Sequence, residues 1–129
     1  MLRGSLAVVP PWRWWLGFGF VGVVGAVVTT HAYREGLPAI FDAFKHFDKI
    51  CHFSFFGLLA FFLDGALRRK PLAVAGLTVP FAAIAILVPA GIEEFMQRFA
   101  ILRTSSFGDF AADVVGVCLF IPLSRRSAQ

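Results

Sequence analysis

The sequence predicts an all-α integral membrane bundle of four transmembrane helices with both termini in the cytoplasm. Three observations carry that prediction. Hydrophobic residues make up 58% of the 129-residue chain and charged residues only 16%, against about 25% charged in soluble domains. Phe occurs 16 times, more than a soluble core of this size can bury, so lipid is the natural solvent for it. The remaining charges fall between, or at the ends of, four apolar stretches. At this length the chain is a single domain. The net charge of +4 is modest, and basic residues flanking apolar segments more often anchor helix ends and set orientation. No nucleic-acid partner is expected.

The first span covers residues 14–33, with no charge between 14 and 30. Arg3 and Arg13 ahead of it could open a signal peptide. The apolar run is longer than a typical signal core, however, and no A-x-A cleavage site follows at the right distance. An uncleaved first helix is expected, with Trp12, Trp14 and Trp15 at the membrane interface. The second span, 47–67, stops at Arg68, Arg69, Lys70 and Pro71. The third reads as the longest, 71–97, uncharged from 71 to 92; the fourth, 107–124, ends at Arg125 and Arg126. At 1.5 Å per residue each reaches across a hydrocarbon layer of about 30 Å. The second and fourth do so only when their polar outer ends are counted. Those polar residues therefore face other helices rather than lipid.

Orientation follows from the basic residues. Arg3, Arg13, Arg68, Arg69, Lys70, Arg125 and Arg126 lie on one side, and Arg34, Lys45, Lys49, Arg98 and Arg103 on the other. The richer side is expected to be cytoplasmic, which places the protein in the cytoplasmic (inner) membrane as a multi-pass chain.

That topology brings the start of the second span, the end of the third and the start of the fourth to one outer layer. Nearly all the conspicuous polar residues sit there: Asp48, Lys49 and His52; Glu93, Glu94 and Gln97; then Arg98, Arg103, Asp109 and Asp113. Asp48 and His52 are four apart, as are Asp109 and Asp113, so each pair shares a helix face; Glu94 and Gln97, three apart, do likewise. Asp48 and Asp109 suit helix starts, whereas Lys49 at a start and Glu93 and Glu94 at an end oppose the helix dipole. Asp113 lies one turn deeper than Asp109, and intramembrane carboxylates mark functional sites by default. Gly116, three beyond Asp113, admits a close helix neighbour. A structural network in which Lys49, Arg98 and Arg103 neutralise the carboxylates is the plainer alternative.

Two segments resemble the signatures of the VanZ-like membrane protein family. Asp48-Lys49-Ile50-Cys51-His52-Phe53 is similar to its D-K-x-x-H-F segment. Glu94, Gln97, Arg103, Asp109, Asp113 and Gly116 match in order and spacing its E-x-x-Q, Arg and D-x-x-x-[ND]-x-x-G signature. Ile101 and Leu102 stand where the family has Pro-Gly before the Arg. The resemblance runs from residue 48 to 116, and the family's four-helix layout matches around it. It implies a link to the cell envelope and to resistance against a lipid-tailed glycopeptide antibiotic, and it supplies no reaction.

Other residues read plainly. His31 and His46 suit interfacial anchors. Asp64, four before Arg68, suits an i,i+4 pair. Cys51 and Cys118 lie in apolar stretches as small hydrophobes. Phe53, Phe56 and Phe62 are packing or lipid-facing residues. The spacing of carboxylates and histidines matches no dedicated metal site, so no metal or other cofactor is expected. No Ser-His-Asp arrangement, phosphate loop or nucleotide fingerprint occurs.

Two functions fit these residues. An enzyme would act on a membrane lipid or a lipid-linked cell-wall precursor at the outer leaflet. Asp48, His52, Glu94, Gln97 and Asp113 would form its catalytic group, with Glu94 or Asp113 as base and His52 as proton carrier. Lys49, Arg103, Asp109 and Glu93 would bind the headgroup, the two cations holding a phosphate. A non-catalytic binder would use the same charged cup to hold a headgroup, a cell-wall precursor, an antibiotic or a partner membrane protein.

Overall fold

The structure, a computed structural model, describes residues 9–36, 39, 43–44, 46–100 and 106–127. These form helix α1 (Pro11–Glu35), helix α2 (Phe47–Ala66), a hairpin of β1 (Pro71–Val74) and β2 (Leu77–Pro80), helix α3 (Phe81–Gln97) and helix α4 (Phe107–Arg126). Among the described residues, the regular structure is helical apart from that hairpin. Helices α1, α2 and α4 are each long and apolar enough to cross a membrane. Their outward faces are apolar: Leu16, Phe20, Val23 and Val27 of α1 and Val115 and Leu119 of α4 are all exposed, as lipid-facing residues should be.

The third segment departs from the sequence expectation. Residues 71–80 are not helix; they pair antiparallel with Pro71 opposite Pro80 and Val74 opposite Leu77. The physical reason lies in the backbone. Pro80 has no N–H to give an interior helical turn and instead caps α3 from an extended conformation. Ala75 and Gly76 both take positive φ, 49° and 82°, as a two-residue type I′ hairpin turn requires. Thr78, Val79 and Val74 add β-branched side chains that favour strands. The absence of charge in this stretch showed hydrophobicity, not helicity. What remains, α3, has 17 residues, about 25 Å of helix.

Side-chain pairing shows how the helices run. Trp14 at the start of α1 stacks against Phe61 and Phe62 near the end of α2, centroids 5.3 and 6.3 Å apart, so these two are antiparallel. Trp14 is buried in the space that Gly65 leaves open, while Trp12 and Trp15 stay exposed; only two of the three tryptophans face outward. Helices α2 and α4 are parallel and packed close. Phe53 meets Phe120 with centroids 5.6 Å apart, and Gly116 lies against the Phe53 carbonyl, where any Cβ would overlap the oxygen. The core sits between α2, α3 and α4, on Leu59, Leu63, Ala82, Ile86, Val117 and Ile121.

A second polar cluster closes the other end of the bundle. Asp64, 1% exposed, accepts the Ser124 hydroxyl at 2.5 Å and the Arg125 guanidinium at 3.3 and 3.4 Å. The expected Asp64–Arg68 pair does not form. Helix α2 ends at Ala66 and Arg68 turns left-handed, φ 53°, which breaks the i,i+4 geometry. Arg69 donates instead to the Ser124 carbonyl at 3.2 Å.

Candidate functional site

The fold assembles its other polar cluster from three helices. Because α2 and α4 run parallel, their first turns lie side by side. Lys49 Nζ donates to Asp109 Oδ1 at 3.0 Å and to its neighbour Asp48 Oδ2 at 3.1 Å. One turn deeper, His52 Nδ1 lies 2.9 Å from Asp113 Oδ1. Helix α3 runs the opposite way, so its last turn arrives at the same level. There Glu94 Oε1 accepts the backbone N–H of Ser106, the N-cap residue of α4, at 2.7 Å. Gln97 Nε2 donates to Glu93 Oε1 at 2.6 Å.

Burial is high. Asp113 and Gln97 are 1% exposed, Asp109 4% and Glu94 6%. Such groups need partners in a low-dielectric setting. Glu94 Oε2 is buried and has no hydrogen-bond partner among the described residues. One ring nitrogen of His52 and one carboxylate oxygen each of Glu94 and Asp109 lie within 4.8 Å of one another. Spacing along the chain could not show this donor set, because each member comes from a different helix.

The residues expected at the site do not all take the parts assigned to them. Asp48, Lys49, His52, Glu93, Glu94, Gln97, Asp109 and Asp113 gather at one end of the bundle. Lys49 is held between two carboxylates rather than left free for a phosphate. Arg98 lies over the Phe95 ring, 5.8 Å from its centroid, and makes no ion pair with a described carboxylate. Arg103 and Lys45 lie outside the described residues. His31 pairs with Glu35 along α1 at 3.5 Å, apart from the cluster. No family model, curated protein or solved structure matches the chain.

Beside the cluster lies a cavity of about 450 Å³ between α1 and α2. Phe20, Val21, Val24 and Val28 of α1 and Phe55, Phe56 and Leu58 of α2 make an apolar wall; Asp48, His52, Glu93 and Asp109 make a polar end. Gly25 holds α1 close, since a Cβ there would run into the Phe55 ring. The α1 wall and Cys51, which also lines the cavity, were not singled out from the sequence as site residues. The sequence signal that could have found the α1 wall is its glycines, Gly17 and Gly25, which let a neighbouring helix approach closely. The groove, apolar along its length and acidic at one end, suits an amphiphile with an apolar tail and a polar head.

Proposed function

We propose that the chain is a VanZ-like protein of the cell envelope, a multi-pass protein of the cytoplasmic membrane with both termini cytoplasmic. The fourth crossing in this reading is α3 with its polar end, the hairpin lies at the cytoplasmic face, and the cluster faces the outer leaflet. Its cavity holds the headgroup of a membrane lipid or lipid-linked cell-wall precursor at Asp48, His52, Glu93 and Asp109, with the tail along α1. The observation that carries this reading is the cavity's combination of one apolar wall with one polar end. The signature-like residues, from Asp48 to Gly116, supply independent support from the sequence.

The His52–Asp113 pair favours a second reading, chemistry on the bound headgroup. An imidazole oriented by a buried carboxylate through one nitrogen presents the other to the cavity, the arrangement of a general base. The test is mass spectrometry of lipids and lipid-linked precursors from three matched strains. They express wild type, the Glu94→Gln variant at equal membrane abundance, or neither, and the purified wild type is analysed for co-purifying lipid. A lipid that co-purifies with the wild type supports binding. A species whose cellular level changes only with wild type supports chemistry as well. Identical profiles and lipid-free protein overturn both.

A further inference from the structure

Three carboxylates at the polar end, Glu94, Asp109 and Asp113, are at least nine-tenths buried. Among the described residues Lys49 is the only cation paired with any of them, apart from the titratable His52. With His52 neutral, Lys49, which Asp48 shares, offsets at most one of these three negative charges, and at least two are left in a low-dielectric setting without a cation among the described residues. That is costly, and an ion of charge two would offset it.

The geometry points to a divalent-cation site formed by His52, Glu94 and Asp109, a role that nothing in the spacing of these residues along the chain indicates. Each residue offers a donor atom, and the three lie within 4.8 Å of one another. Bonds of about 2.0–2.2 Å to imidazole nitrogen and carboxylate oxygen set donors about 3–3.5 Å apart, so the triangle draws in by up to about 1.5 Å as the ion binds. The buried Glu94 Oε2 lacks any partner among the described residues, whereas Oε1 is anchored by Ser106. Lys49 donates to Oδ1 of Asp109. His52 gives its Nδ1 to Asp113, so Nε2 is the nitrogen left to ligate. A metal-ligating histidine is characteristically held this way, its second nitrogen donating to a carboxylate that fixes tautomer and ring plane. A proton carrier requires the Asp113 contact but not two further carboxylates converging on the ring.

The donor set of one nitrogen and two oxygens suits zinc or manganese better than calcium, which takes six to eight oxygens. Three protein ligands leave coordination positions open. An ion held there would offset the negative charge at the cavity's acidic end and accept a phosphate oxygen of a lipid headgroup at an open position. The ion site stands without the proposed lipid function; only this bridging role rests on it.

The test uses untagged protein purified in detergent, stripped with chelator and titrated with Zn²⁺ or Mn²⁺ while binding is followed calorimetrically and by metal analysis. One ion is expected per wild-type chain. Glu94→Gln and His52→Ala should abolish that binding, and Asp113→Asn should weaken it about 10–100-fold, as loss of a ligand's supporting carboxylate does. His31→Ala, at an exposed histidine outside the cluster, should leave it unchanged. Circular dichroism checks that each variant retains wild-type helicity. Wild type that binds no ion, or binding that survives Glu94→Gln in folded protein, overturns the site. A second arm measures capture of a phosphatidic-acid vesicle with and without ion. Capture that ignores the ion rejects the bridge while leaving the ion site intact.

Discussion

His52 on α2 and Asp113 on α4 meet 2.9 Å apart through Nδ1 and Oδ1, with Asp113 1% exposed. The two residues are 61 apart in sequence. Each leaves the other with a buried, unsatisfied polar group if it is removed alone. Asp113→Ala and His52→Ala are therefore each expected to destabilise the fold by about 1–3 kcal/mol. The double variant should cost less than their sum, by about 0.5–3 kcal/mol. Equilibrium unfolding in mixed micelles of the four proteins reads the coupling; strict additivity would mean that the contact contributes nothing.

Gly116, whose added Cβ would meet the backbone of α2, is predicted to be the described glycine most sensitive to a small change. At Gly116 an added methyl meets the Phe53 carbonyl, which cannot rotate away as a side chain can. Gly116→Ala should lower stability by at least the about 1–3 kcal/mol typical of overpacking. Gly19→Ala, where nothing lies within 4 Å of the new Cβ, should be near neutral. Thermal melts of the two variants in the same detergent make the comparison.

The Asp64 cluster predicts an order of effects at the opposite end. Ser124 is fully buried and donates to Asp64 at 2.5 Å, whereas the Arg125 side chain is 41% exposed and its contacts are longer. Ser124→Ala should cost about 1–3 kcal/mol, since it leaves the buried Asp64 Oδ2 with only the long 3.4 Å contact to Arg125. Arg125→Met should cost less, since partly exposed ion pairs contribute about 0–1 kcal/mol. Arg68→Met should change nothing attributable to Asp64. Unfolding midpoints that reverse this order would contradict the pairing.

The hairpin makes a topological prediction. A cysteine at Thr78, in a Cys51→Ala, Cys118→Ala background, should react with a membrane-impermeant maleimide. It should do so from the same face as a cysteine at Ser127, because β1 follows the Arg68–Lys70 end of α2. Labelling of sealed inside-out and right-side-out vesicles distinguishes the faces. Protection from both would place 71–80 within the lipid.

Much of this was legible in the sequence, and the parts that were have a common character. The first, second and fourth helices appear within a few residues of where charge and hydropathy placed them, since solvation by lipid is decided by each segment's own side chains. The pairings of Asp48 with His52 and Asp109 with Asp113 on shared faces follow from helical periodicity alone. Gly116 likewise announced a close neighbour. The third segment misled because apolarity does not distinguish strand from helix; Pro80 and the Ala75–Gly76 turn did, through backbone terms that a hydropathy reading omits. Asp64 misled because a local partner, Arg68, looked sufficient until the chain turned left-handed there.

By itself, then, the sequence determined that the chain has helices long and apolar enough to cross a membrane, where three of them lie, and which polar residues share an end of the bundle. Only the tertiary structure decided that Lys49 is held by Asp48 and Asp109, that His52 leans on Asp113, and that Glu94 and Asp109 converge on that imidazole. It also decided that α1 lays an apolar wall beside them. The division has a physical cause. Lipid solvation and helical period act over one segment at a time, whereas parallel packing of α2 on α4, with α3 antiparallel, sets distances between residues some 40 to 60 positions apart.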